Sequence, residues 1–365
     1  MQKPPKSTTP FIPSARQHEI TSPQKLLNAH GEIAEPGYAK RLLWQYDRAD
    51  IAVHPMRIKE WDCYCVGNQD YGMVLIISDA GFVGNINFSL IDYHANTTLQ
   101  KAVVTPFPLG RWGMPTSSEE GHIERRVGNV KLGFYLGRDN ERGGHKRVIR
   151  GIVPKFGPEK KELRVDLTLT DIPGESMVIA TPLGKPGHFY YNQKINCMRV
   201  SGTATLGDQV WEFKPEDSFA TLDWGRGVWT YDNTWFWSSL NTALPDGSAF
   251  GWNLGYGFGD TSAASENMLF HHGRAHKLDT VTFHLPQKDG RDDFMSPWKF
   301  TSNDGRLEMD FEPVYDNVNV IDLGLICMSG HQVFGKFTGR AILDDGTAID
   351  LDAQMGFVEK YHNKW

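Results

Sequence analysis

The sequence predicts an all-β chain built as two tandem antiparallel barrels, and three observations carry that expectation. Glycine makes up about a tenth of the 365 residues and aromatics 12%, whereas apolar residues at helical spacing (i, i+3, i+4, i+7) are scarce. Strict alternation recurs instead: Leu163, Val165, Leu167 and Leu169 interleave with Arg164, Asp166 and Thr168, and Leu307, Met309 and Phe311 interleave with Glu308 and Asp310. Each run reads as a strand with one wet face. Four Asp-Gly pairs, at Asp246-Gly247, Asp289-Gly290, Asp304-Gly305 and Asp345-Gly346, stand between or beside such runs. A tight hairpin needs positive φ there, so the second half reads as a meander.

Along the chain, residues 1–16 hold four of the 20 Pro and little to bury, so they are expected to be a flexible arm, with the fold beginning near His18. Trp61 to Tyr64 begins a strand-like run, and Tyr71 to Ile77 is almost continuously apolar after an Asn68-Gln69-Asp70 turn, which suits a strand buried on both faces. An internal echo follows. Trp61-x-x-Tyr64, an apolar run and Gly84-Asn85-Ile86-Asn87 resemble Trp235-x-Trp237, the turn at Asp246-Gly247 and Gly251-Trp252-Asn253-Leu254. Each half would then be one barrel, expected over 17–205 and 206–365.

The apolar share, counted with Gly and without Tyr, is about 47%, the value of an ordinary globular protein. A net charge of −6 with no basic block removes the electrostatic term of nucleic-acid binding, so no nucleic-acid partner is expected. No run approaches 18 apolar residues, and Met1 to Ala15 has no apolar core of a secretory signal, so a cytoplasmic protein without stable membrane insertion is expected. Four Cys are too few for a disulfide scaffold. Cys63 and Cys65 share one strand face with Cα atoms about 6.5–7 Å apart, where a bridge would be strained. Cys197 and Cys327 read as small buried side chains.

Six of the 11 Trp fall between positions 211 and 252 (Trp211, Trp224, Trp229, Trp235, Trp237, Trp252). Such a cluster lines a concave ligand site or closes a barrel floor. Within it, Leu222-Asp223-Trp224-Gly225-Arg226-Gly227-Val228-Trp229 sets a carboxylate near a guanidinium among aromatics. That pair is either an ion pair or an acid–base group with a positioned partner, and burial or Arg226 decides which way the Asp223 pKa moves.

From His18 to Trp365 the chain resembles a bacterial domain-of-unknown-function family. The resemblance is carried by Leu26 to Gly31, Trp61-Asp62-Cys63-Tyr64, Leu222 to Trp229, Trp235 to Trp237, Asn253 to Asp260, Glu266-Asn267, His331 to Gly335 and Gly356-Phe357-Val358-Glu359. That family is itself similar to the tandem lipocalin-like (calycin-like) proteins that include carotenoid 1,2-hydratases, or hydroxyneurosporene synthases. The more distant resemblance rests on Asp223, Gly225, Trp235-Phe236-Trp237 and Asp246-Gly247. It implies lipocalin-like barrels and makes Asp223 the counterpart of the hydratases' proposed proton donor. Two departures separate the chain from them: Thr221 stands where they carry Tyr, and Phe236 replaces their intervening Asp.

Other constellations carry less. His271-His272-Gly273-Arg274-Ala275-His276 lacks helical context and a completing ligand, so no metal is expected, and no cofactor. Glu266-Asn267 and His331-Gln332 are polar pairs in apolar surroundings, candidates for ligand contacts or a second carboxylate, or else satisfied structural groups. The Gly251, Gly255, Gly257, Gly259 series lacks the Lys-Ser/Thr of a phosphate loop and reads as a curved strand. No nucleophile elbow is present.

The expectation is a small-molecule enzyme in which Asp223 acts as general acid/base, with Arg226 and Glu266 beside it, on a largely apolar, unsaturated or isoprenoid-like substrate, by hydration, isomerisation or elimination. Trp224, Trp229, Trp235, Trp237, Asn253, Asn267, His331 and Gln332 would bind the ligand, the Trp faces stabilising developing positive charge. The alternatives are a carrier whose cavity holds a lipid and where Asp223 and Arg226 form a structural pair, and a carbohydrate-binding or carbohydrate-active variant, since Trp also stacks on sugars.

Overall fold

The computed structural model describes residues 17–139 and 144–365; the expected Pro-rich arm over residues 1–16 lies outside the described residues. Two large antiparallel sheets, of 13 and nine strands, account for nearly all regular structure, with only single-turn 3-10 segments at Arg48–Asp50 and Pro55–Arg57. The chain is all-β, as its alternation demands.

Both sheets follow one plan. In the first, Ile58–Gly67 opens a meander through Tyr71–Asp79, Val83–Asp92 and Thr97–Pro106. A gap in the ladder follows, and the meander resumes through His122–Val127, Val130–Arg138, His145–Phe156, Lys161–Thr170 and Phe189–Leu206. Phe219–Val228 then closes it by pairing with both Phe189–Leu206 and the opening strand. In the second, Asp232–Ala243 opens, Ala249–Tyr256, Met268–His271 and Arg274–Lys277 follow, and the gap again falls after the fourth strand. Val281–His284, Trp298–Ser302, Leu307–Asp322 and Cys327–Ile342 lead to the closing strand Ala348–Lys364, which returns to the opening strand. A meander whose last strand pairs with its first is a curled, nearly closed up-and-down barrel. The molecule is therefore a tandem of lipocalin-like barrels.

The sheet boundary differs from the division expected at 205/206. Gln209–Phe213 and Phe219–Val228 pair with Phe189–Leu206 and belong to the first sheet, and the second starts at Asp232. Closure explains the shift, because the opening strand needs a partner on its second edge.

Local chemistry follows the pattern. Leu163, Val165, Leu167 and Leu169 point into the first core and Leu307, Met309 and Phe311 into the second. All four Asp-Gly pairs are hairpin turns with the Gly at positive φ, and at Asp289-Gly290 both residues are left-handed (φ +51° and +76°). Tyr71–Asp79 is covered on both sides: Met73, Leu75 and Ile77 fill the first barrel, while Val74 packs on an apolar cluster that spans both barrels. Large side chains such as Phe88, Phe156 and Trp224 in one barrel, and Trp252, Phe300 and Phe337 in the other, fill the interiors.

The barrels meet through the outer faces of their opening and closing strands. Two apolar clusters form this junction, one around Met177, Tyr190, Phe258 and Phe270, the other around Ile91, Tyr93, Trp237, Phe334 and Phe357.

Candidate functional site at the barrel junction

Phe219–Val228 is buried along its whole length, so both its faces are read by packing. Strand alternation sends Leu222, Trp224, Arg226 and Val228 into the first barrel and Thr221, Asp223, Gly225 and Gly227 toward the second. Asp223 and Arg226, three residues apart, therefore face opposite ways, and they form neither the ion pair nor the acid–base partnership that the sequence left open between them. Arg226 instead meets Asp62 at 3.0 Å and Glu60 at 3.9 Å, donates to the Pro115 and Trp61 carbonyls, and lies 4.1 Å from the Trp224 ring centroid. Trp224 is likewise core, edge-on to Tyr46 and Tyr191. Neither reaches the junction.

Asp223 has other partners. Lys194 Nζ lies 2.8 Å from one carboxylate oxygen, and Asn192 Nδ2 donates to the other at 2.7 Å. Lys194 also sits 3.8 Å from the Trp237 ring centroid, so its charge is held between a carboxylate and a π face. Its side chain is 4% exposed against 12% for Asp223, which leaves the carboxylate as the side of the pair that solvent reaches.

Two further carboxylates converge from the second barrel. Glu359, on the closing strand, accepts from Gln332 Nε2 at 2.8 Å and from Trp235 Nε1 at 3.4 Å. Burial pushes its carboxyl up to about 7, against the pull of Lys194, and nearby Asp223 adds to the rise. Glu266 accepts from Asn253 Nδ2 at 3.4 Å, and burial raises its pKa too. Trp237 Nε1 donates to Asn253 Oδ1 at 2.7 Å and so fixes that amide. Gly255 makes room for Glu266: a Cβ there would come within 2.7 Å of its carboxylate. The Cys63 thiol faces the same cluster, and its hydrogen bond with Cys65, then burial, holds its pKa well above the ordinary value, so it is no thiolate nucleophile.

An aromatic wall flanks these groups. Trp229 lies edge-on to Trp61 (5.3 Å), Phe258 (5.0 Å) and Trp235 (5.9 Å), and Trp235 stacks on Tyr361 at 5.3 Å. Asn192 Oδ1, Asn196 Oδ1 and Trp229 Nε1 are buried and have no hydrogen-bond partner among the described residues, so two acceptors and one donor stand unused along this seam. On the other side a cavity of about 50 Å³ reaches Gln332, Cys65, Thr221, Ser239 and Phe357.

Of the sequence-derived candidates, Asp223, Glu266, Trp229, Trp235, Trp237, Asn253 and Gln332 come together here. Asn267 does not: its side chain accepts from the Gly255 backbone and donates to the Asp279 carbonyl, a structural tie. His331, one residue from Gln332, faces the other way, stacked on Phe294 and 2.7 Å from Asp316. Lys194, Asn192 and Glu359 were missed. A signal for two of them existed, because Asn192, Lys194 and Asn196 recur at every second position of Phe189–Leu206 and so share one face of the strand.

Curled meanders in tandem, meeting through a polar seam walled by aromatics, define the class: a two-barrel lipocalin-like protein with a buried polar seam between its barrels. The chain belongs to the family described as domain of unknown function DUF2804, whose model matches residues 17–365. No curated protein matches the sequence significantly. Solved structures similar to it include a chain provisionally named AttH from Nitrosomonas europaea (13% identity, TM-score 0.48, covering 86% of this chain and 95% of that one). Kievitone hydratase from Nectria haematococca is similar at 11% identity and TM-score 0.48, covering 94% and 98%. CghA in complex with Sch210972 is similar at 12% identity and TM-score 0.44, covering 96% and 97%.

Proposed function

We propose that the protein is a small-molecule enzyme that moves protons on a largely apolar, unsaturated or isoprenoid-like substrate held at the barrel junction, with Asp223 as the group that handles the proton. The observation that carries the reading is the convergence of the Asp223–Lys194 pair with two carboxyls of raised pKa against an aromatic wall. Titratable groups whose surroundings drive their pKa values apart are what general acid–base chemistry requires. Asp223, ion-paired with Lys194 at 2.8 Å and the more exposed side of that pair, is the base of the set in this reading. The Trp faces suit a flat apolar ligand and a developing cation, and the unused Asn192 and Trp229 groups suit a polar substituent on it.

A carrier needs a continuous apolar tunnel, and the packed barrel interiors leave the ligand to the polar seam. Four cysteines without disulfide bonds suit the reducing cytoplasm, where we place the protein. The test uses geraniol, linalool and trans-chalcone as probes in D2O and in H2 18O, with mass spectrometry reading isotope incorporation and tryptophan fluorescence reading binding. Chemistry on at least one probe is expected, reduced at least about 100-fold in Asp223→Asn with binding retained. Binding by wild type without any isotope incorporation would sink the enzyme in favour of a carrier.

A further inference from the structure

We propose that Glu359 is the proton donor of this site and Asp223 its basic counterpart, the two being one position of a duplicated barrel given different partners. The proposal rests on the acid–base reading above and adds a second residue to it.

The strand registers establish the equivalence. On the first barrel's opening strand, Trp61 pairs with Gly225 and Cys63 with Asp223 of the closing strand. In the second barrel, Trp235 pairs with Tyr361 and Trp237 with Glu359. Laying Trp61 on Trp235, the echo visible in the sequence, lays Asp223 on Glu359. The next strand agrees, since Asp223 pairs with Lys194 and Glu359 with Gln332. Each acid thus meets, at 2.8 Å in both barrels, a side-chain nitrogen from the same position of the neighbouring strand, Lys194 Nζ in an ion pair and Gln332 Nε2 in a hydrogen bond.

What differs is the donor's charge. Lys194 sets a cation against the Asp223 carboxyl, whereas the neutral amide of Gln332 donates equally to a carboxylate or to the carbonyl oxygen of a neutral acid. The charged and titratable groups facing Glu359 are Lys194, Asp223 and Cys63 from the first barrel and Tyr361 from its own strand, with Glu266 beside Lys194. Burial dominates this balance and leaves a carboxyl that holds its proton near neutrality. Glu266 is the weaker candidate, because it is pressed against Gly255, whereas Gln332 joins Glu359 to the cavity. That cavity has volume for about three to five waters.

A pair tuned this way gives one proton and takes another in one turnover. In a double-bond shift, the Glu359 proton goes to one alkene carbon, whose π electrons form the new C–H bond. Asp223 takes a proton from the allylic carbon, and that C–H pair becomes the new π bond. In hydration, a water oxygen closes on the cationic carbon and Asp223 takes the water's proton. Either way Glu359 ends as carboxylate and Asp223 as acid, and exchange with solvent resets both.

Infrared difference titration of the full-length protein between pH 5 and 9 tests the tuning without a ligand. One buried carboxyl should titrate near pH 7 in wild type, vanish in Glu359→Gln, hold its proton to higher pH in Lys194→Met, and lose at least tenfold in proton affinity in Gln332→Lys. A wild-type band near pH 7 that Glu359→Gln leaves at full intensity, or no such band in wild type, overturns the assignment, whereas the carboxyls of Glu266, Glu60 and Asp62, also raised by burial, are common to both proteins. With the three probes named above, Glu359→Gln should cut turnover at least 100-fold while Glu359→Asp recovers part of it. Turnover that stays within tenfold in Glu359→Gln overturns the donor role alone; wild-type protein that leaves every probe untouched overturns the enzyme reading and the donor role together.

Discussion

Trp61 lies across Gly225, its cross-strand partner, so closely that a Cβ at position 225 would overlap the indole ring. The glycine beside Asp223 is therefore a packing requirement of the junction, and Trp61 in turn stacks on Tyr190 and meets Trp229 edge-on. Gly225→Ala should cost about 1–3 kcal/mol, the usual penalty for overpacking, read as a lower urea midpoint with a shifted tryptophan emission. Adding Trp61→Phe should recover part of it. An unchanged midpoint in Gly225→Ala would show that the indole moves aside freely.

Arg226 is a fully buried cation of the first barrel's interior, and its removal takes the ion-pair partner from Asp62, whereas Glu60 keeps Arg48 and the Tyr46 hydroxyl. Asp62 and Glu60 are both buried, and burial already raises their pKa values against the pull of Arg226. Arg226→Met should destabilise by about 3–5 kcal/mol, the cost of leaving buried charge uncompensated. In fractions that remain folded, Glu359 should titrate where it does in wild type. A loss below about 1 kcal/mol, measured by denaturant unfolding, would mean that the acids are already neutral without the guanidinium.

The same strand shows how far sequence reading reaches. Asp223, Arg226 and their aromatic neighbours stood out as residue types in one segment, and hairpin spacing located the meanders. The faces were lost because a sheet's period is two: Asp223 and Arg226 look adjacent, yet an odd separation places them on opposite sides. The alternation that assigns faces is obscured in Phe219–Val228, since both faces are buried and neither is simply polar. Lys194 and Glu359 were invisible as partners for another reason. They meet Asp223 from a neighbouring strand and from the second barrel, and only the register brings them together. The Trp61 and Trp235 echo held the clue to Glu359, and it becomes usable once each closing strand is known to pair with its opening strand.

Lys59 makes a pH-dependent contribution of the opposite sense to the acids. It is buried, donates to the Ala80 carbonyl at 2.7 Å and lies 4.4–4.5 Å from the ring centroids of Phe82 and Trp365. Burial lowers its pKa to about 7. Unfolded, the amine binds its proton up to about pH 10.5, so between pH 7 and 10.5 the unfolded chain carries more protons and stability rises with pH. Lys59→Met should raise the denaturant midpoint at pH 7 and remove part of that rise, with Lys277, also lowered to about 7, supplying the remainder. Parallel stability curves for variant and wild type from pH 7 to 10 would count against the shift.

Glu359 gives the sharpest stability test, because its sign is fixed by the direction of its shift. The folded carboxyl holds its proton up to about pH 7, whereas the unfolded one releases it near 4.5. Between those values the folded state binds more protons, so the unfolding free energy falls as pH rises, and the contribution is fully present below 4.5 and spent above 7. At 1.36 kcal/mol per pH unit the full swing is about 3 kcal/mol. Glu359→Gln keeps the shape and the Gln332 neighbour but has no proton to lose. The stability difference between variant and wild type should therefore grow in the variant's favour from pH 4.5 to 7 and stay level from 7 to 8.5, other groups cancelling in the subtraction. Gln332→Lys should shrink the same swing, since a cation at that position would favour the carboxylate. Urea unfolding at half-unit pH intervals measures all three curves, and a difference that is flat across pH 4.5–7 would mean that Glu359 is ionised throughout and cannot be the acid of the junction.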